Sequence, residues 1–179
     1  MRRFRLRSAI GTLLVVSFVG AVQAQAEEAD ESDPATAKEK EIEVEFPPYP
    51  NADSLLAFDA GAASGNRFMI DQTSISIGQD GVIRYVLVIR SPSGVDNVRF
   101  EGMRCETLER RLYATGRDDR TWSRSRNDKW VKITSSTLSL PHMALARLYL
   151  CDNRIPIRSA REGIEAIHRG GPRPILLDN

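Results

Sequence analysis

The chain has 179 residues, with only two cysteines and two histidines. It contains no G-x-S-x-G, HExxH, Cys-x-x-Cys or glycine-rich phosphate loop. Each absence removes a class of chemistry. Four soft or imidazole ligands, with neither histidine facing a partner at i±4, are too few to build a zinc or copper site. No metal and no cofactor is therefore expected. Without a nucleophile elbow or a metalloprotease helix, hydrolysis has no local motif to run on. The main expectation is a domain without intrinsic catalysis; the alternative is a hydrolase whose site is assembled from residues far apart in the chain. Long apolar runs are also scarce. The one candidate, Ala9 to Val22, is shorter than the ~20 apolar residues that cross a bilayer.

What stands around that run is informative. Four arginines fall in the first seven residues, the apolar run follows, and Ala24-Gln25-Ala26 then fits a small-x-small cleavage pattern. Residues 1–26 read as a signal peptide, cut after Ala26 or, at a second acceptable site, after Ala24. No cysteine adjoins either site, which excludes lipid attachment. The mature protein is expected to be periplasmic or secreted, with no transmembrane segment. Removing residues 1–26 takes away four arginines and no acid, so 25 basic against 24 acidic residues becomes 21 against 24. That balance gives no global pull toward nucleic acid, and none is expected as a partner.

Residues 27–47 carry nine acids against two lysines and few apolar side chains. Such a segment buries too little surface to offset its ordering entropy, so it reads as a disordered acidic linker. The other reading is a tail that docks on a basic partner or on the basic part of its own domain. The sequence "FPPYP" marks entry to a single globular domain over residues 48–179, large enough for one core.

Cys105 and Cys151 both lie in the mature part. Arginines 104, 110 and 111 could lower the pKa of Cys105 and make it a reactive thiolate. In an oxidising compartment, two thiols more often form one disulfide, and that pairing is the expectation.

From Asn66 onward the chain reads as short extended runs separated by turn signals. "NRFMID" and "TSISIG" are strand candidates, "GQDG" and "SPSG" are turns, and "VIRYVLVIRS" alternates so fully that it suits a central strand covered on both sides. "VDNVRFEGMRC" presents Val98 and Phe100 on one face. "LERRLYATG" places Leu108, Leu112 and Ala114 together. "RDDRTWSRSRNDKWVKI" reads as a hairpin carrying Trp122 and Trp130. The period then changes: "HMALARLYLC" and "SAREGIEAIHRGG" read as helices, the second capped by Ser159 and stopped by Gly170-Gly171. The expected fold class is α+β, an antiparallel β-meander packed with C-terminal helices and tied by one disulfide.

The stretch from "NRFMID" to "YATGR", with "TWSRSRNDKW", "LYLC" and "EAIHRGG", resembles the cryptic neisserial protein-like family of proteobacterial envelope proteins, from about Pro48 to Gly171. The spaced pattern "FEGxRC…RRLYATGR…W…RN…W" carries the resemblance. It implies a small exported domain with no assigned biochemical role and supplies no catalytic residues. More loosely, the hairpin-rich core looks like a surface adhesin E type of domain, which implies binding.

The feature with functional promise is the segment from Arg99 to Lys132, which holds ten basic residues against six acids, with Tyr113, Trp122 and Trp130 interleaved. Guanidinium forks beside aromatic faces suit an anionic envelope component or an envelope protein. The candidate contact residues are Arg110, Arg111, Arg117, Trp122, Arg124 and Trp130. The competing reading is that the arginines protect a sheet edge while the tryptophans fill the core.

Overall fold

In a computed structural model, residues 43–61 and 65–171 are described. The expected signal peptide, and the expected acidic linker up to residue 42, lie outside the described residues.

Strand follows strand in chain order. β1 (Leu55–Phe58), β2 (Arg67–Ile77), β3 (Ile83–Arg90), β4 (Asp96–Arg104), β5 (Glu109–Gly116) and β6 (Trp122–Arg124) each pair antiparallel with the next. This is the meander expected from the turn signals. Gly81, at φ +68°, closes the β2–β3 turn with its N–H on the Gly78 carbonyl, and Gly94, at φ +86°, closes the β3–β4 turn onto Ser91. Both are backbone conformations that glycine adopts without steric cost.

Three local readings differ from the outcome. The two runs "NRFMID" and "TSISIG" form one strand, β2, interrupted by a register shift between Asp71 and Ser76. There the Asp71 carboxylate accepts from the Thr73 N–H and hydroxyl, and the Ser74 hydroxyl donates to the Asp71 carbonyl while accepting from the Val86 N–H. In β5 a second shift pairs Leu112 with Glu101 but Ala114 with Phe100, so Leu112 and Ala114 fall on opposite faces. The extra residue is Tyr113, and a bulge of this kind breaks strict alternation. Finally, Trp122 and Trp130 do not flank a hairpin. β6 pairs with the end of β5, while β7 (Val131–Lys132) pairs with its start, so the two short strands lie in tandem along one edge of β5.

β3 is covered on both sides, as its composition requires. On one face Ile83, Tyr85 and Leu87 join Phe68, Ile70 and Met103. Over them lies the helical layer: α1 (Leu140–Ala144), a π-helical turn (Leu145–Leu150), a small hairpin of β8 (Cys151–Asp152) and β9 (Ile155–Pro156), and α2 (Ala160–Arg169). The Ser159 hydroxyl accepts the Glu162 N–H at the start of α2, and Gly170, at φ +74°, ends it. The close seat of α2 depends on Gly163, where an added Cβ would stand 2.8 Å from Ile157 Cδ1. The Cys105–Cys151 disulfide joins the end of β4 to the end of the π-helical turn, with Cα atoms 5.7 Å apart.

On the other face Met69, Val86, Val88, Val98, Phe100, Tyr113 and Ala114 form a second core. No helix of the described residues covers it. Val44, Phe46 and Tyr49 pack there instead, with Leu55 and Trp122. Val44 and Phe46, which composition placed in the acidic linker, are half-buried.

Gly102 marks a close approach on this face. A Cβ there would lie 2.8 Å from the ring of Tyr113, which is itself flanked by the guanidiniums of Arg84 and Arg111. An aromatic ring held between two cations has little room to yield. G102A is expected to cost about 1–3 kcal/mol, read as a lower denaturation midpoint with an unchanged m-value; an unchanged midpoint would contradict the packing described.

Candidate functional site

The most polar buried group is one that sequence reasoning passed over. β4 turns Glu101 inward opposite Tyr85 of β3, and α1 brings His142 down onto it. His142 Nε2 lies 2.7 Å from Glu101 Oε2, and the Tyr85 hydroxyl donates to the same oxygen at 3.4 Å. All three residues have 0% exposure. Around the other carboxylate oxygen stand Arg110 Nη1 at 3.7 Å and Arg99 Nη1 at 3.8 Å. Burial pushes the Glu101 carboxyl up, but His142, Arg110 and Arg99 outweigh it and hold the group below its ordinary value. Burial and the neighbouring Glu101 charge push the Tyr85 hydroxyl well above its ordinary value, so it remains a donor. With Glu101 ionised, His142 Nε2–H is the donor to it. A carboxylate, an imidazole and a phenol within hydrogen-bond reach could move protons, yet all three are closed off from solvent. Their geometry locks α1 to the sheet.

The exposed chemistry lies on the opposite side. The segment from Phe46 to Pro50 runs across the second core as a strap, extended by its prolines. Trp122 Nε1 donates to the Pro47 carbonyl at 2.8 Å, the Tyr49 hydroxyl donates to the Arg117 carbonyl at 3.2 Å, and Arg120 Nη2 donates to the Pro50 carbonyl at 3.1 Å. Rings complete the clamp. Phe46 and Tyr49 pack against Trp122 with centroids 6.5 and 5.3 Å away, and Phe100 meets both Phe46 and Trp122. Two guanidiniums close over the strap: Arg124 at 4.7 Å from the Phe46 centroid and Arg120 at 5.3 Å from that of Tyr49. Ring and cation–π contacts of this type add to area burial.

The six candidate residues therefore divide. Arg117, Trp122 and Arg124 come together around the strap. Arg110 lies on the helical face of the sheet, opposite Met103, with its guanidinium 3.7 Å from Glu101. Arg111 lies over the Tyr113 ring and 3.3 Å from Asp128 Oδ2. Trp130 carries the guanidinium of Arg104 at 4.2 Å. Sequence reasoning missed Phe46, Tyr49 and Arg120 as members of the aromatic and basic group. "FPPYP" was the available signal, since a rigid proline-aromatic segment next to a domain suits docking on aromatic faces.

Fold and site together define a small disulfide-tied α+β domain, its sheet covered by helices on one face and by its own proline-rich strap on the other. The chain belongs to the CNP1-like family, whose profile matches residues 35–168. It is similar to cryptic neisserial protein 1 of Neisseria gonorrhoeae (strain ATCC 700825 / FA 1090), 31% identical over 140 residues, with 68% of each chain covered. No solved structure matches it. The disulfide, and the lack among the described residues of any helix long and apolar enough to cross a membrane, fit an exported protein.

Proposed function

We propose that the protein is an exported, non-enzymatic domain of the cell envelope, periplasmic or secreted after removal of residues 1–26, which binds an anionic envelope component or an acidic surface of an envelope protein. The contact surface is the rim of Arg117, Arg120 and Arg124 around the strap. One observation carries this reading. Arg120 and Arg124 lie over rings of the strap, and neither has an ion pair among the described residues. A guanidinium resting over a ring keeps N–H donors for a carboxylate or phosphate, of which Arg120 spends one on the Pro50 carbonyl. Two acids share the turn beside the rim: Asp119, engaged by the Thr121 N–H and hydroxyl and facing the Arg117 charge, and Asp118, which is exposed. A hydrolase reading finds no support in the Glu101–His142 pair, because no substrate reaches it.

Retention of the mature, oxidised domain on envelope fractions tests the proposal. R117Q/R120Q/R124Q is expected to lower retention at least tenfold, and raising the salt should weaken the parent toward the same level. Retention of the variant equal to the parent, at matched thermal stability, would remove the rim from the account.

A further inference from the structure

On the helical side a cleft of about 490 Å³ opens between the π-helical turn, the β8–β9 hairpin and α2. We propose that it is a second binding site, for an amphipathic anion: a carboxylate or phosphate head on an apolar stem. It lies outside the strap and the rim, and does not depend on their role.

The cleft has the size of a small-molecule site and a mixed lining. Its apolar wall is formed by Tyr149, Ile157 and Ala166, all buried, with Leu148 at the mouth, 39% exposed. The π-helical turn explains why Leu148 is there. Leu145, Ala146, Tyr149 and Leu150 fill the core, and the wider turn leaves Arg147 and Leu148 facing out. Turns of this type are rare and occur often at functional sites. Two cations face the cleft, Arg147 from this turn and Arg169 from the last turn of α2. Both are exposed, and neither has an ion pair or hydrogen bond among the described residues.

The two acids at the cleft are unequal. Glu162 accepts the Arg158 N–H at 2.9 Å and lies 3.7 Å from the Arg158 guanidinium. Asp152 has no such partner among the described residues and stands exposed on the hairpin. An anionic head is therefore attracted by Arg147 and Arg169 and opposed by Asp152, while its stem gains the apolar wall. A head alone lacks the wall, and a neutral stem leaves both forks unused.

Calorimetric titration tests the site with decanoate, with decanol as the uncharged stem, inorganic phosphate as the bare head and phosphatidylglycerol vesicles as the assembled source. The expected result is saturable decanoate binding at one site, with decanol and phosphate each at least tenfold weaker. R147Q and R169Q are each expected to weaken decanoate about tenfold, and D152N to tighten it. Because these three side chains are exposed, the variants should melt with the parent, which a thermal scan checks. R117Q/R120Q/R124Q is expected to bind decanoate like the parent, so that failure of the rim and failure of the cleft are separate results. Additional binding to vesicles that R147Q/R169Q abolishes assigns the head to a membrane lipid; binding of monomeric decanoate alone assigns it to a free amphiphile. Absence of saturable decanoate binding, or equal binding by parent and R147Q/R169Q, overturns the proposal.

Discussion

C105A/C151A is expected to lose about 4 kcal/mol of stability relative to the oxidised parent. The bond closes a loop across a sequence separation of 46 residues, and the chain-entropy model assigns roughly that value to a loop of this length. For a domain whose total stability lies in the range of about 5–15 kcal/mol, the loss is large. It should appear as a urea midpoint lower by roughly 2 M, and reduction of the parent should reproduce it. The location of the bond strengthens the expectation. Cys105 is buried at the end of β4, and Cys151 follows the π-helical turn, so the bond anchors the helical layer to the sheet near Met103. Identical midpoints with and without reductant would show that packing alone holds that layer.

E101A is expected to cost about 3–5 kcal/mol, because it removes one partner of a buried hydrogen-bonded pair and leaves the others without it. His142 and Tyr85 each lose their hydrogen bond to the carboxylate, and Arg99 and Arg110 lose the charge they face. E101Q keeps the volume and an acceptor, so its loss should be smaller. The same group sets a pH dependence. The folded-state pKa of Glu101 is depressed relative to its ordinary value. Its contribution is therefore complete above the unfolded value of about 4.3 and is lost as pH falls through the folded value. The parent should lose stability on acidification below about pH 4 with a steeper slope than E101Q. Parallel pH profiles for the two proteins would contradict an ionised Glu101 in the folded state.

The order of the strands was legible because each turn announces itself locally. Gly78 to Gly81 and Ser91 to Gly94 are turns by composition, and the alternation in β3 is carried by residues whose neighbours are its own. β1 was not legible: "LLAF" has no alternation, and its pairing with Asp71 to Phe68 is set by the rest of the sheet. The bulge at Tyr113 was hidden for a related reason. Alternation predicts a regular strand, and the pairing with β4 shows where the extra residue goes, with Tyr113 packed on Gly102.

The candidate site was legible in part. Clustering of arginine and tryptophan picked out Arg117, Trp122 and Arg124, which do meet. It also picked out Arg110, whose partner Glu101 is close only across the sheet. A single glutamate in a strand reads as solvent-facing, and nothing local distinguishes one that meets a histidine 41 residues later. The start of the strap was obscured by averaging: nine acids over residues 27–46 outweigh Val44 and Phe46, although both pack on the second core.

The most direct measurement is hydrogen exchange of the two tryptophan indole protons in the oxidised domain. If the strap completes the basic rim, the Trp122 Nε1–H, bonded to the Pro47 carbonyl, exchanges slowly and shows nuclear Overhauser contacts to Phe46 and Tyr49. The Trp130 indole proton, which has no hydrogen bond among the described residues, exchanges fast. Equal, rapid exchange of both, with no contact from Trp122 to Phe46 or Tyr49, would contradict the strap and with it the rim built on it.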